Sequence, residues 1–202
     1  ISHHATEDLA ILRSIPNMTV FAPGDTKEAY ELTKRIICED LGPVYLRLGR
    51  AGEATLHTDE SVKKLVIGKA FPLIETSNRK LAILSTGGML ETAVKVCEQL
   101  KQQNIQSSVF SYHTIKPFDI ETTRRIFKEY ELVVSLEEHS IIGGFSAAIL
   151  ESLVGSKGIT LDNYLPFALP TTFTSKVGDQ NYLRNLYNIS PEKILEKILN
   201  TL

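Results

Sequence analysis

The strongest constraint on this chain is an alternation. Short apolar runs of strand length recur, and most are followed by a stretch with helical spacing and its own start signal. Leu81-Ala82-Ile83-Leu84-Ser85 is nearly continuous in apolar residues, as a strand covered on both faces of a parallel sheet should be. Thr86-Gly87-Gly88 then turns into a helix with Leu90, Val94, Cys97 and Leu100 at helical spacing. Ser107 to Ser111 reads as a strand, and Asp119 caps a helix carrying Ile120, Ile126 and Phe127. Leu132 to Leu136 is the next strand, and Gly143-Gly144 leads into a helix through Leu153. Leu165 to Leu169 is a last short strand. Ser190-Pro191-Glu192 opens a final helix whose stripe is Ile194, Leu195, Ile198 and Leu199. Crossovers of this length imply a mostly parallel sheet with helices on both faces, a three-layer α/β fold.

The first fifty residues carry the same alternation on a smaller scale. Thr6 is placed to cap a helix running through Ile15, and Met18 to Phe21 reads as a strand. Asp25-Thr26-Lys27-Glu28 has the capping-box form and opens a helix with Ala29, Leu32, Ile36 and Ile37 on one face. After Gly42-Pro43, Val44 to Leu48 reads as another strand. Residues 51–63 hold small and polar side chains without a period, and Leu65 to Ala70 is read as extended. The expected organisation is therefore 1–50, a linker at 51–63, and an α/β domain at 64–202.

Composition removes several classes. With 43% hydrophobic and 23% charged residues the chain is no disordered segment. A net charge of −2 argues against binding nucleic acid by neutralising phosphates, and no apolar run approaches the ~18 residues of a membrane span. Cys38 and Cys97 fall in helix-like stretches without metal-ligand spacing and read as buried thiols of a reducing compartment. With no signal-like opening, a cytoplasmic location is expected. The chain starts on Ile1-Ser2-His3-His4, without Met, which reads as part of a longer protein.

Few residues show chemistry by pattern. The pair His3-His4 precedes a helix start, but adjacent positions point apart and no third ligand stands near in sequence. Arg50 follows a strand at its carboxyl end, where open α/β sheets collect ligands. Its guanidinium suits a phosphate, although spacing alone does not separate that from a solvated loop arginine. Gly87-Gly88 and Gly143-Gly144 lack the full dinucleotide-binding spacing and read as tight turns. Glu137-Glu138-His139, His113 and Lys116 stand near strand ends without a visible role.

Taken together, the segments resemble the carboxyl-terminal half of a transketolase. His3-His4-Ala5-Thr6-Glu7-Asp8-Leu9-Ala10, Arg13-Ser14-Ile15-Pro16-Asn17-Met18 and Ala22-Pro23-Gly24-Asp25 carry the most specific part of the likeness. Gly42 to Arg50 resembles the strand that closes the pyrimidine-binding domain. Ser85-Thr86-Gly87, Thr114 to Asp119 and Glu137 to Gly144 match the carboxyl-terminal domain in order and spacing.

The resemblance implies a partial pyrimidine-binding domain followed by a Rossmann-like, mostly parallel C-terminal domain. It implies transfer of a two-carbon ketol unit between sugar phosphates, using thiamine diphosphate and a divalent metal (Mg or Ca). His3 corresponds to the histidine contacting substrate hydroxyls near the reacting carbonyl, a catalytic and substrate-binding role, and Arg50 to the arginine that grips the substrate phosphate. His4 falls where the family varies. The glutamate that activates the cofactor and the diphosphate and metal ligands lie upstream in the family. The chain alone is thus expected to hold no cofactor and to be inactive without an N-terminal part. Expected partners are a second copy in a homodimer or an N-terminal transketolase subunit. The alternatives are a portion of a deoxyxylulose-phosphate synthase or of a 2-oxo-acid dehydrogenase beta chain, or a non-catalytic dimerisation or assembly domain.

Overall fold

The computed structural model describes residues 6–49 and 52–202, so His3, His4 and Arg50 lie outside the described residues. In chain order the elements are α1 (Asp8–Ser14), β1 (Thr19–Phe21), α2 (Thr26–Cys38), β2 (Val44–Leu46), α3 (Asp59–Val62), β3 (Phe71–Ile74), β4 (Leu81–Ser85), α4 (Leu90–Gln102), β5 (Ser108–Ser111), β6 (Thr114–Lys116), α5 (Ile120–Glu129), β7 (Leu132–Ser140), α6 (Phe145–Leu153), β8 (Tyr164–Leu169), α7 (Gln180–Leu186) and α8 (Pro191–Leu199).

A five-stranded sheet in the order β3-β5-β4-β7-β8 organises the larger part. Three of its four pairings are parallel, and at the edge β3 runs antiparallel to β5. Successive strand residues point to opposite faces. Leu81 and Ile83 of β4 therefore pack under α4 and α8, with Leu90, Val96, Leu100, Ile194 and Ile198. Ala82 and Leu84 pack on the other face with Ile126 and Phe127 of α5 and Phe145 and Ile149 of α6. That is the expected three-layer α/β domain.

A second, three-stranded sheet has the order β2-β1-β6. β1 and β2 are parallel, whereas β6 joins β1 antiparallel, so a strand from the larger part completes the sheet of the first fifty residues. The backbones interlock there. Ala22 N donates to His113 O (2.9 Å), and Gly87 N donates to Ala22 O (3.0 Å). Gly87 sits at φ 58°, a left-handed turn that glycine adopts without a Cβ penalty.

Several local expectations fail for identifiable reasons. Thr6 does not cap α1; its hydroxyl and amide donate to the neighbouring Glu7 carboxylate, and the N-cap residue, Glu7, makes no side-chain cap bond. Leu65 to Ala70 is a pair of turns closed by Leu65 N to Val62 O and Lys69 N to Val66 O, with Gly68 at φ 77° interrupting extension. The strand forms instead at β3. Ile37 and Cys38 fall on the outer face of α2 and are exposed, and only Cys97 of the two thiols is buried. Within 51–63 the structure places α3, closed by a reciprocal Thr58–Ser61 capping box. α7 carried no signal strong enough to predict it.

Candidate functional site

Although His3, His4 and Arg50 lie outside the described residues, the segments that lead to them do not. α1 starts five residues after His3, and the chain leaving β2 reaches Gly49 one residue before Arg50. These two segments meet. Arg47 Nε pairs with the Asp8 carboxylate at 2.9 Å, and the Tyr45 hydroxyl donates to the same Asp8 oxygen at 2.7 Å. Arg47 also donates to Glu138 O at 3.0 Å, tying both segments to the end of β7. Burial and Asp8 push the Tyr45 phenol up to about 12, so it stays a donor. Asp8 Oδ1 is buried without a hydrogen bond.

Glu137, Glu138 and His139 extend β7 beyond its last pairing with β4, and each acquires a distinct partner. The Glu137 carboxylate accepts from Phe145 N (2.6 Å) and Ser146 N (2.8 Å), filling the N-terminus of α6. Burial nevertheless pushes this carboxyl up to about 7. Glu138 pairs with Arg184 of α7 at 2.5 Å. His139 donates from Nδ1 to Ser140 O (2.7 Å) in the tautomer that lets Nε2 accept from Ala10 N (3.3 Å). Burial, with Arg47 adding to it, lowers the His139 pKa and keeps the ring neutral. Gly144 is obligatory here, because a Cβ would stand 2.1 Å from Glu137 Oε2 and 2.5 Å from His139 Nδ1.

A second polar cluster was not foreseen. Asp25 caps α2 through Glu28 N, as its capping form predicts, and its other oxygen accepts from Leu56 N, His57 N and the His57 ring. Glu28 does not close the capping box on Asp25. Its fully buried carboxylate accepts instead from Gly24 N and Ser111 Oγ, both at 2.6 Å, and lies 3.4 Å from His57 Nε2. Burial would lower the His57 pKa, but Asp25 and Glu28 outweigh it and raise it. Burial likewise raises Glu28, while four donations drive Asp25 far below the usual carboxylate range despite burial. His113 is buried beside this cluster, lowered to about 4 by desolvation and by the charges of His57 and Arg35; its Nε2 has no partner. His57 lay in a stretch without periodicity, and nothing in its neighbours marks it.

Lys116 donates to Arg13 O (3.0 Å) and Ile15 O (2.5 Å) and so closes the C-terminal end of α1. At the Gly87-Gly88 turn, Gly87 N is engaged with Ala22 O and Gly88 O accepts from Arg184. A cavity of about 80 Å³ beside Glu138 and Arg184 is lined by Thr6, Phe173, Leu183 and Tyr187. Among the described residues no group of three or more His, Cys, Asp or Glu side chains could hold a metal ion. No described helix is long and apolar enough to cross a membrane.

Two family models match the chain, the transketolase pyrimidine binding domain over residues 1–52 and the transketolase C-terminal domain over residues 72–194. A putative transketolase C-terminal section of Methanocaldococcus jannaschii is 34% identical over 201 residues, covering 98% of this chain and 60% of the relative. A 6-deoxy-6-sulfo-D-fructose transketolase subunit of a Clostridium species is 32% identical, covering 96% of this chain and 58% of the relative. A 1-deoxy-D-xylulose-5-phosphate synthase of Shouchella clausii is 30% identical, covering all of this chain and 31% of the relative. The chain thus spans at most about three fifths of these proteins. Among solved structures, a split-gene transketolase described as an inactive beta4 tetramer superposes with a TM-score of 0.87 at 28% identity. That match covers 100% of this chain and 63% of the other.

Proposed function

We propose, from the premise that this chain belongs to the transketolase family, that it is the C-terminal portion of a thiamine-diphosphate-dependent enzyme moving a two-carbon ketol unit between sugar phosphates. The observation that carries this reading is the Asp8–Arg47 pair, which ties the start of α1 to the end of β2 and so brings together the segments leading to His3 and Arg50. In this reading His3 donates to substrate oxygens beside the reacting carbonyl, where charge develops. Arg50 holds the substrate phosphate with two parallel charge-assisted bonds. The amino-terminal portion supplies the diphosphate and metal ligands, either in a longer chain or as a separate subunit, and the assembly is a dimer or higher oligomer working in the cytoplasm. Thiamine diphosphate with Mg or Ca, when bound, supplies the carbanion chemistry; the residues of this chain bind and orient the sugar phosphate.

A second reading, a portion of a deoxyxylulose-phosphate synthase, draws on the 30% identity to such an enzyme over the whole chain. The test is to assemble the chain with its amino-terminal portion and assay both activities. Sedoheptulose phosphate formed from fructose 6-phosphate and a pentose phosphate is the expected outcome, and deoxyxylulose phosphate from pyruvate and glyceraldehyde phosphate would favour the second reading. Arg50→Ala should then raise the Michaelis constant for phosphorylated acceptors by ~2–4 kcal/mol equivalent while leaving unphosphorylated ones nearly unchanged. Equal slowing on both would overturn the phosphate assignment.

A further inference from the structure

We propose that His139 is a positioning residue that sets the first turn of α1, the helix that follows His3 in the chain, and so supports the role assigned to His3. This rests on the reading of His3 given above. An α-helix leaves its first N–H groups without intrahelical partners, and a side chain at the N-cap usually satisfies one. Glu7 makes no such bond. The acceptor comes from across the fold, where His139 Nε2 lies 3.3 Å from Ala10 N in the first turn of α1. Next to it, Ser140 N donates to Thr6 O at 2.8 Å. Two consecutive residues of β7 therefore pin the chain on both sides of the helix start.

The imidazole is itself fixed. Its Nδ1–H bonds Ser140 O at 2.7 Å, the residue is fully buried, and a Cβ at position 144 would crowd the ring. An acceptor held this rigidly transmits its position to the helix. The clamp also has a protonation requirement. Nε2 can accept from Ala10 only while the ring is neutral. A proton on Nε2 would remove that acceptor and present a donor to the Glu7 carbonyl and toward Asp8 Oδ1, which lies 3.9 Å away. The charged and titratable groups facing the ring are Asp8 from α1, Arg47 beyond β2 and Glu137 from β7. Burial and Arg47 oppose the proton, whereas the Ser140 and Glu7 carbonyls, by accepting from the ring, and Asp8, by charge, favour it.

The experiment uses the enzyme assembled with its amino-terminal portion, with fructose 6-phosphate as donor and ribose 5-phosphate as acceptor. His139→Phe fills the ring space without an acceptor, and His139→Gln restores one. His139→Phe should lower kcat about 10- to 100-fold, the scale of a misplacement near 1 Å, with KM changed less than about threefold. His139→Gln should recover most of that loss and flatten the acid limb of the kcat profile. Hydrogen exchange over residues 8–11 should quicken in the Phe variant alone. In a His3→Ala background, His139→Phe should add almost nothing, because it acts through His3. A multiplicative further loss in that background overturns the proposal, as does wild-type kcat in His139→Phe. If the Phe variant does not fold, a Gln variant with an acid limb identical to wild type overturns it equally. Should His3→Ala leave turnover intact, the reading of His3 itself fails, a result distinct from the failure of His139 alone.

Discussion

The five-stranded sheet and the seam where residues 6–49 lie against it are held by opposite means. In the sheet, Leu81, Ile83, Ala82 and Leu84 bury apolar surface against helices on both faces, with no polar partner needed. In the seam, Asp25, Glu28, His57, His113, Glu137 and His139 are all buried. Apolar burial is non-directional and tolerates small errors of position. A buried carboxylate or imidazole is costly unless its particular donors and acceptors arrive. The sheet therefore supplies cohesion, while the seam fixes how residues 6–49 sit against it.

The largest expected effect belongs to the sheet. Phe110 on β5 is fully buried and meets Tyr130 edge-to-face at 6.2 Å. Phe110→Ala should cost about 3–5 kcal/mol in urea unfolding, through lost transfer energy and the cavity left behind. A loss below 1 kcal/mol would mean that the core relaxes freely, and the contrast with the seam would collapse.

The seam should show itself next, through pH. His113 is buried with its pKa lowered to about 4 by desolvation and by His57 and Arg35. A histidine depressed in the folded state contributes stability that is present above its unfolded value near 6.5 and is lost as pH falls toward the folded one. His113→Leu removes both the group and its unpartnered Nε2. Measured against wild type, the variant should gain about 3 kcal/mol in relative stability between pH 7 and pH 4. A pH-independent difference would show that His113 carries no proton-linked cost.

The same contrast explains what the sequence made legible. β4, α4, β7 and α6 were readable because each is specified by its own period and local turn signal. The Asp25 cap was readable too, since its partner is three residues away. Glu28 binding Ser111 and His139 binding Ala10 join residues 83 and 129 positions apart, and no local pattern encodes such a meeting. His57 looked like linker for the same reason. Thr6 misled because a good capping residue one position too early found a nearer acceptor in Glu7. Resemblance alone pointed to His3 and Arg50; periodicity never marked them.

Asp25 probes the seam directly. Asp25→Ala removes the cap of α2 and the acceptor used by Leu56 N, His57 N and the His57 ring. The lost cap is worth about 1 kcal/mol, and the stranded donors bring the total to about 2–3 kcal/mol. His57 would also lose the partner that keeps its pKa raised. Stability conferred by a raised histidine is full below its unfolded pKa and is lost as pH rises through the folded value. The penalty of Asp25→Ala should therefore be greater at pH 6 than at pH 9, as chemical unfolding at the two values would read. A pH-independent penalty would leave Asp25 as a helix cap and nothing more.

The smallest effect distinguishes a clamp from a core contact at the far end of α1. Lys116 donates to Arg13 O, in the last turn of α1, and to Ile15 O, which also accepts from Met18 N, and its positive charge complements the C-terminal end of the helix dipole. α1 has only 7 residues and buries only Leu9, so it depends on such outside partners more than α4 does. Lys116→Met keeps most of the aliphatic stem and removes the donor and the charge, which confines the change to the cap. The expected cost is about 0.5–1 kcal/mol globally, because an exposed cap exchanges its bonds with water. Locally the effect should be larger. Amide exchange over residues 10–15 should quicken several-fold while that of β4 and β7 stays unchanged, since α1 can open without unfolding the sheet. If β4 and β7 quicken by the same factor, α1 and the sheet unfold as one unit, and the seam is no separate layer of stability.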